Sequence, residues 1–215
     1  MTVTPNAATR GPRTAARTLM IEVAEQLIAE RGVEGVSLRN VGQAAGQRNN
    51  SAAQYHFGTR DGLVAAVIAH RSDDVEQRRK ELLDALGERP EQAPLGDLVR
   101  CFVLPLAEMV DRGDAAHPTW YLRFLTQVVT LHGGHRAEEI APRPEHMKVL
   151  EGALRSRLSH LDLATFARRM RWLAQVSVRA LADQEYEREH DRQSGPIDPI
   201  VDDLVQMLVA LLDAE

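Results

Sequence analysis

The sequence predicts an all-α fold: three N-terminal helices, the last two short and joined by a glycine turn, then a longer helical region. Three observations lead there. Apolar residues recur at helical spacing along most of the chain. No run alternates Val, Ile and Thr as a half-buried strand would. Breaks between the periodic segments fall at Gly32, Gly46, Gly58, Gly113, Gly133-Gly134, Pro142/Pro144 and Gly195-Pro196. With 215 residues and 44% hydrophobic content, the chain can bury one larger core or two small ones.

Residues 1–12 are rich in Thr, Pro, Asn, Gly and Arg without periodicity and read as a flexible basic arm. Arg10, Arg13 and Arg17 give it and its junction positive charge. From 13 to 31, Leu19, Met20, Val23, Ala24, Leu27 and Ile28 fall on one helical face, and Gly32 ends the helix. Ser37 offers an N-cap for a short helix carrying Leu38, Val41 and Ala45, which Gly46 stops. A second short helix spans 49–56, with Asn49 at its N-cap and Gly58 beyond its end. Thr59 caps the next helix, Asp61 suits the positive end of its dipole, and Leu63, Val64, Val67 and Ile68 carry it toward residue 86.

Further helices are expected at 94–112, 118–132, 143–160, 162–190 and 197–213. In the penultimate one, Leu163, Phe166, Ala167, Met170, Leu173, Ala174, Ser177 and Leu181 keep near a 3.6-residue period. In the last, only one strip holds polar residues (Asp202, Asp203, Gln206). A terminal helix that apolar is covered on most sides. Two readings stand: burial within the monomer, or a homodimer interface of two helices per subunit packed as a four-helix bundle. The charged stretch DQEYEREHDR, 183–192, reads as a solvated helix end.

The net charge of −5 hides an asymmetry. Residues 1–60 hold seven Arg and four Glu, while 61–215 carry 19 basic and 27 acidic side chains. A basic head on an acidic body suits a nucleic-acid partner, although many enzymes are similarly uneven. Cys101, the single cysteine, excludes an intramolecular disulfide and any multi-cysteine zinc site. It reads as a small core residue, and a reduced, cytoplasmic setting fits it. No apolar run is long enough to span a membrane, and residues 1–18 do not look like a signal peptide. His132-Gly-Gly-His135 lacks a third ligand at a convincing spacing and reads as a helix end and loop. Patterns H-E-x-x-H, G-x-S-x-G, G-x-G-x-x-G and the P-loop are absent, so no enzyme and no cofactor are expected.

Residues 46–63, GQRNNSAAQYHFGTRDGL, concentrate hydrogen-bonding side chains that are costly to bury unpaired. Together with VSLRNVGQAAG before it, this stretch resembles the N-terminal domain of TetR-family transcriptional regulators. Ser37, Leu38, Arg39, Val41, Ala45 and Gly46 match a T-V-R-x-I-A-x-x-A-G run. Tyr55, His56, Phe57, Thr59, Arg60, Asp61 and Leu63 match a Y-Y-H-F-x-S-K-E-x-L run. The likeness covers about residues 13–70. Ten positions lead from Gly46 to His56, one more than the family pattern, so the turn around Gln47 and Arg48 is lengthened.

The resemblance implies a helix-turn-helix DNA-binding domain over 13–58 and a helical ligand-binding and dimerisation domain over 59–215, with 59–86 as the linking helix. It implies a cytoplasmic homodimer, joined through the last two helices, acting on double-stranded DNA at a pseudo-palindromic operator. A repressor released by a small, largely apolar inducer is the expected function. An activator or dual regulator on the same scaffold, or a helical enzyme acting on a small apolar substrate, are the alternatives.

Expected DNA-binding residues are Ser37, Arg39, Arg48, Asn49, Asn50, Ser51, Gln54, Tyr55, His56, Thr59 and Arg60. Asn50, Ser51 and Gln54 share a helix face and suit base edges, since Asn and Gln can pair with adenine's donor and acceptor together. Arg60 at a helix N-terminus suits a phosphate. Phe102, Met109, Trp120, Tyr121, Phe124, Gln127 and Trp172 are candidates to line an inducer cavity, although each taken alone reads more readily as plain core. Arg123 is a candidate partner for an acidic ligand or for a surface ion pair.

Overall fold

The computed structural model describes residues 12–49, 51–112, 119–130, 139–190 and 195–214, and their regular structure is helical. The helices are α1 (Pro12–Arg31), α2 (Leu38–Ala44), α3 (Ala52–Phe57), α4 (Arg60–Ala85), α5 (Leu95–Val110), α6 (Tyr121–Val129), α7 (Glu145–Arg157), α8 (Leu163–Glu189) and α9 (Asp198–Asp213). A single 3₁₀ turn, Pro90–Gln92, joins α4 to α5. Arg10 and the rest of the expected arm before Pro12, Asn50, His132 and His135 lie outside the described residues.

Local chemistry places the helix ends as expected. Gly32, at φ 74°, closes α1 and donates its N–H to the Ile28 carbonyl. Thr59 accepts from the Gly62 N–H at 3.0 Å and starts α4 with Asp61 in its first turn. Asp162 caps α8, accepting from the Thr165 N–H at 2.9 Å. Leu19 departs from expectation. It is exposed, and Ile21 takes its place beside Met20, Ala24, Leu27 and Ile28. The stripe is centred on Ala24, so Leu19 falls on the opposite side of the helix.

The buried apolar side chains form one cluster from Met20 in α1 to Leu212 in α9. Phe124, Leu63, Leu98, Leu122, Leu150 and Leu173 are fully enclosed in it. Helix α5 is sandwiched between α4, α7, α8 and α9, while α6 bridges α8 and α1. Helix α4 packs on α1 with its first half and on α5 and α7 further along. Gln127 on α6 reaches to 3.4 Å from where a Cβ on Gly32 would stand. The region behind the helix-turn-helix therefore touches it along two helices, α4 and α6.

Five polar side chains are buried among the described residues, Glu25, Arg79, Arg169, Ser177 and Glu185, and three of them tie helices together. Glu25 on α1 accepts from Arg71 Nε and Nη2 on α4, at 2.8 and 3.0 Å. Glu185 on α8 accepts from the backbone N–H groups of Leu122 and Arg123, at 3.3 and 3.0 Å, and pairs with the Arg123 guanidinium. Arg169 on α8 donates to the carbonyls of Leu212 and Ala214, at 2.6 and 2.5 Å, and so satisfies the open end of α9. Glu185 corrects the reading of 183–192 as a wholly solvated helix end. Residues 183–190 are amphipathic, and one carboxylate faces the start of α6, where unpaired N–H groups need an acceptor.

Candidate nucleic-acid interface

The helix-turn-helix is built by caps and a tight turn. Ser37 accepts from the Asn40 N–H at 3.1 Å while Asn40 Oδ1 accepts from the Ser37 N–H at 3.2 Å, a reciprocal cap that starts α2. Val41 and Gly42 are buried, and the second of these lies 3.9 Å, by its missing Cβ, from Ala53 of α3. After α2 the chain turns at Gly46, whose φ of 67° is open to glycine at little cost. The N–H of Gln47 then returns to the Gly42 carbonyl at 2.9 Å.

The lengthened turn delays the next helix. Asn49 Oδ1 accepts from the Ser51 N–H at 3.0 Å and from the Ser51 hydroxyl at 2.7 Å, forming a side-chain turn. Helix α3 begins at Ala52, and Ser51 makes no side-chain cap. Asn49 is therefore a turn-former three residues before the helix, not the N-cap expected for a helix over 49–56. Ser51 precedes α3 rather than sharing its regular face with Gln54. Both corrections have one physical cause: the Asn side chain mimics a backbone turn and holds the extra residue outside the helix.

Within α3, Ala53 and Phe57 point to the core. Arg17 of α1 lies over the Phe57 ring, 5.5 Å from its centroid, and pins α3 from behind. Gln54 and Tyr55 face solvent, and His56 is half-buried, edge-on to Tyr55 with ring centroids 5.3 Å apart. Tyr55 is 78% exposed, the most exposed large apolar side chain described. Arg39 and Arg48 are also exposed, and among the described residues neither is paired. Gln54 folds back onto the Gly58 carbonyl in the isolated chain.

Arg60 is less free than the sequence suggests. Its Nε donates to the Val36 carbonyl at 3.1 Å, and Nη1 pairs with Glu34. It straps the start of α4 to the loop before α2. Gly62 is a residue that sequence reasoning missed. A Cβ there would stand 2.2 Å from the Phe57 carbonyl oxygen, so only glycine allows α4 to begin this close behind α3. Its one signal in the sequence is a glycine inside an otherwise good helix start.

The residues expected to line an inducer cavity differ in their surroundings. Phe102, Met109, Tyr121 and Phe124 are buried in the continuous core, and Tyr121 stacks on Phe124 with centroids 6.2 Å apart. Trp120 lies under the Arg123 guanidinium, 3.9 Å from the ring centroid, and Arg123 is held by Glu185 and Glu189. Gln127 faces α1, and Trp172 is exposed beside Arg168. An open groove of about 690 Å³ lies elsewhere, between α6 and α8, lined by Thr126, Val129, Thr130, Gln175, Val176, Arg179, Ala180 and Asp183. Among the described residues no cluster of His, Cys, Asp or Glu is arranged to hold a metal, and no helix is long and apolar enough to cross a membrane.

Residues 20–67 match the family model for bacterial regulatory proteins of the tetR family. The matched segment runs from Met20 in α1 to Val67 in α4 and contains α2, the turn and α3 entire. Among solved structures, the chain is similar to the crystal structure of a TetR-family transcriptional regulator from Pectobacterium atrosepticum. The two are 17% identical, with 95% of this chain and 96% of that chain covered and a TM-score of 0.42. Among curated proteins, none matches the chain. The segment that matches the family model is the one whose caps, glycine turn and exposed helix face are described above, so residues 20–67 form a helix-turn-helix domain of the kind found in bacterial regulatory proteins of the tetR family.

Proposed function

We propose that the chain is a homodimeric repressor, that α3 of each subunit enters the major groove of a pseudo-palindromic operator, and that a small molecule bound behind the helix-turn-helix releases it. The observation that carries the DNA-reading part is the outer face of α3. Gln54 and Tyr55, the latter 78% exposed, are accompanied on the same domain by exposed Arg39 and Arg48, which are unpaired among the described residues. Phosphate contacts from Arg39, Arg48, Tyr55, the Ser37 and Thr59 helix starts and the junction at Arg60 fix register. Gln54, with Asn50 and Ser51 at the turn, reads bases once it leaves the Gly58 carbonyl. His56 supports Tyr55, and Asn49 holds the turn.

In this reading residues 13–58 are the DNA-binding domain and 59–215 the regulatory one. Dimerisation through α8 and α9 is supported by what those helices leave uncovered: Leu163 is 73% and Met207 63% exposed, and Trp172 is exposed as well. Effector binding that favours a subunit arrangement with the two α3 helices wrongly spaced lowers DNA affinity. DNA then weakens effector binding by the same factor.

Selection of genomic fragments by the purified protein tests the proposal. A two-fold symmetric motif with half-sites about one helical turn apart is expected, and retention of fragments without a shared motif overturns it. Gln54→Ala is expected to cost about 1–3 kcal/mol at one base pair per half-site and to relax preference there. An unchanged motif from the variant removes Gln54 from base reading. Met207→Asp is expected to shift sedimentation toward monomer, since a carboxylate would be desolvated at the α9 face. Unchanged dimer dissociation places the interface elsewhere.

A further inference from the structure

The junction between α3 and α4 presents Arg60 already engaged. Its Nε donates to the Val36 carbonyl at 3.1 Å, and its Nη1 pairs with the Glu34 carboxylate. The two contacts differ in kind. The first is a backbone hydrogen bond that holds the guanidinium against the loop before α2. The second is an ion pair in water, with Arg60 37% and Glu34 67% exposed. Such a pair shifts an equilibrium by about fivefold at most. The strap therefore stands on the Val36 carbonyl, and the charge of Glu34 adds little to it.

Glu34 is nevertheless held in place. It stands in the turn 32–35 that follows α1, where the Gly35 N–H donates to the Gly32 carbonyl at 3.2 Å. Val33 and Val36 on either side of it are buried and fix the turn to the core. A Cβ on Gly35 would stand 2.4 Å from the Arg31 carbonyl oxygen, so the tight path depends on glycine. A rigid turn thus presents an acid to the cation that the proposed function places on a DNA phosphate. To a guanidinium, a carboxylate and a phosphodiester offer the same pair of acceptor oxygens. The two anions compete for Arg60, since sharing it would bring like charges together.

From this we infer that Glu34 is a specificity-determining residue of the DNA interface. It stands in for a phosphate in the free protein and on arbitrary DNA, and yields Arg60 only when α3 is seated in its groove. The inference rests on the DNA-reading proposal above and adds a residue outside its contacts. Loosely held DNA offers phosphates at a distance and within their counterion atmosphere, so the fixed carboxylate keeps Arg60. A seated complex brings one phosphate to hydrogen-bond range, and the dipole at the start of α4 adds to the attraction. Glu34 then withholds a cation from the wrong sequence and gives it up on the right one. The ratio of specific to non-specific affinity rises.

Glu34→Gln tests the role, because the amide keeps the shape and an acceptor oxygen and loses only the charge. Salt titrations of the full-length protein are compared on two duplexes: a fragment selected by the wild type, and a scrambled sequence of equal length. On the scrambled duplex the variant is expected to bind about two- to fivefold more tightly per subunit. Its log–log salt slope there should steepen by about 0.9 per subunit, one extra phosphate contact. On the selected fragment the slope should stay as in wild type, so the ratio of the two affinities falls. Glu30→Gln removes an acid of α1 that lies beside Arg31 instead, and should leave the ratio unchanged. In an Arg60→Met background, Glu34→Gln should have no further effect on either duplex. Should Arg60→Met not fold, the two single charge variants carry the test. Equal gains on both duplexes, an unchanged ratio, a fall matched by Glu30→Gln, or an effect that survives Arg60→Met overturn the role of Glu34. A wild-type protein that selects no motif overturns the DNA-reading proposal, and the inference with it. A wild type that selects a motif whose ratio ignores Glu34 overturns the inference alone.

Discussion

Glu25→Ala is expected to remove about 3–5 kcal/mol of folding stability, the range for stripping one partner from a buried ion pair. Glu25 is 2% exposed and accepts two charge-assisted hydrogen bonds from Arg71 in fork geometry. Removing the carboxylate leaves a largely buried guanidinium, 28% exposed, without its fork partner. Burial depresses the Arg71 pKa and the contact with Glu25 more than offsets it, so the net shift is upward and the cation is stabilised by that partner. Alanine substitution removes the compensation and retains the burial. Urea denaturation followed by circular dichroism measures the loss. The double variant Glu25→Leu, Arg71→Met should recover most of it, because neither charge is then orphaned. A loss under about 1 kcal/mol from Glu25→Ala would mean that the pair behaves as a solvent-screened one. If the folded protein persists, its DNA affinity should also fall, since α1 and α4 would no longer be held at this point.

Glu185→Ala comes second, at about 3 kcal/mol, toward the low end for a broken buried pair because Arg123 keeps Glu189 and the Thr119 carbonyl. What it loses is the acceptor for two backbone N–H groups at the start of α6, which no neighbouring side chain replaces. The pH dependence distinguishes this carboxyl from a surface one. Burial raises its pKa, opposed by donation from the Arg123 and Leu122 backbone, from Thr119 and by the charge of Arg123. A raised folded-state value means that the folded protein holds this proton more tightly than the unfolded chain does. The stabilisation from that linkage is complete below the ordinary glutamate range, about 4.3, and is lost as pH rises through the raised folded value. Glu185→Gln, which cannot titrate, should flatten this component. Parallel stability curves for wild type and variant between acid and neutral pH would remove the assignment.

Much of the helix-turn-helix was legible because its signals are local. Ser37, Gly46, Gly58 and Thr59 act through their own backbone geometry, and each does what its residue type favours. Asn49 misled for an equally local reason: the side chain that caps a helix can close a turn instead, and the sequence contains both options. The inner residues were harder to read. Glu185 sits in a run of charge that looks solvated, and only the packing of α6 on α8 shows that one position in it meets a helix start. The aromatic residues of α5 and α6 are buried and carry the composition of a cavity wall and of a core alike, because periodicity tells which side of a helix is apolar but not whether the opposing side chains leave space. Arg60 looked free for phosphate because its partners, Glu34 and the Val36 carbonyl, lie more than twenty residues earlier.

The single apolar cluster from Met20 to Leu212 bears on modularity. A helix-turn-helix with a core of its own would be transplantable, ready to be cut at Gly58 and fused to another regulatory partner. Here the underside of α1 is lined by α6 and by the first half of α4, and the Glu25 carboxylate finds its cation only beyond the cut. Severed there, α1 would present Met20, Ala24 and Ile28 to water together with an unpaired acid. Chimeras built from this regulator should therefore take their junction after α6 or exchange α1, α4 and α6 together.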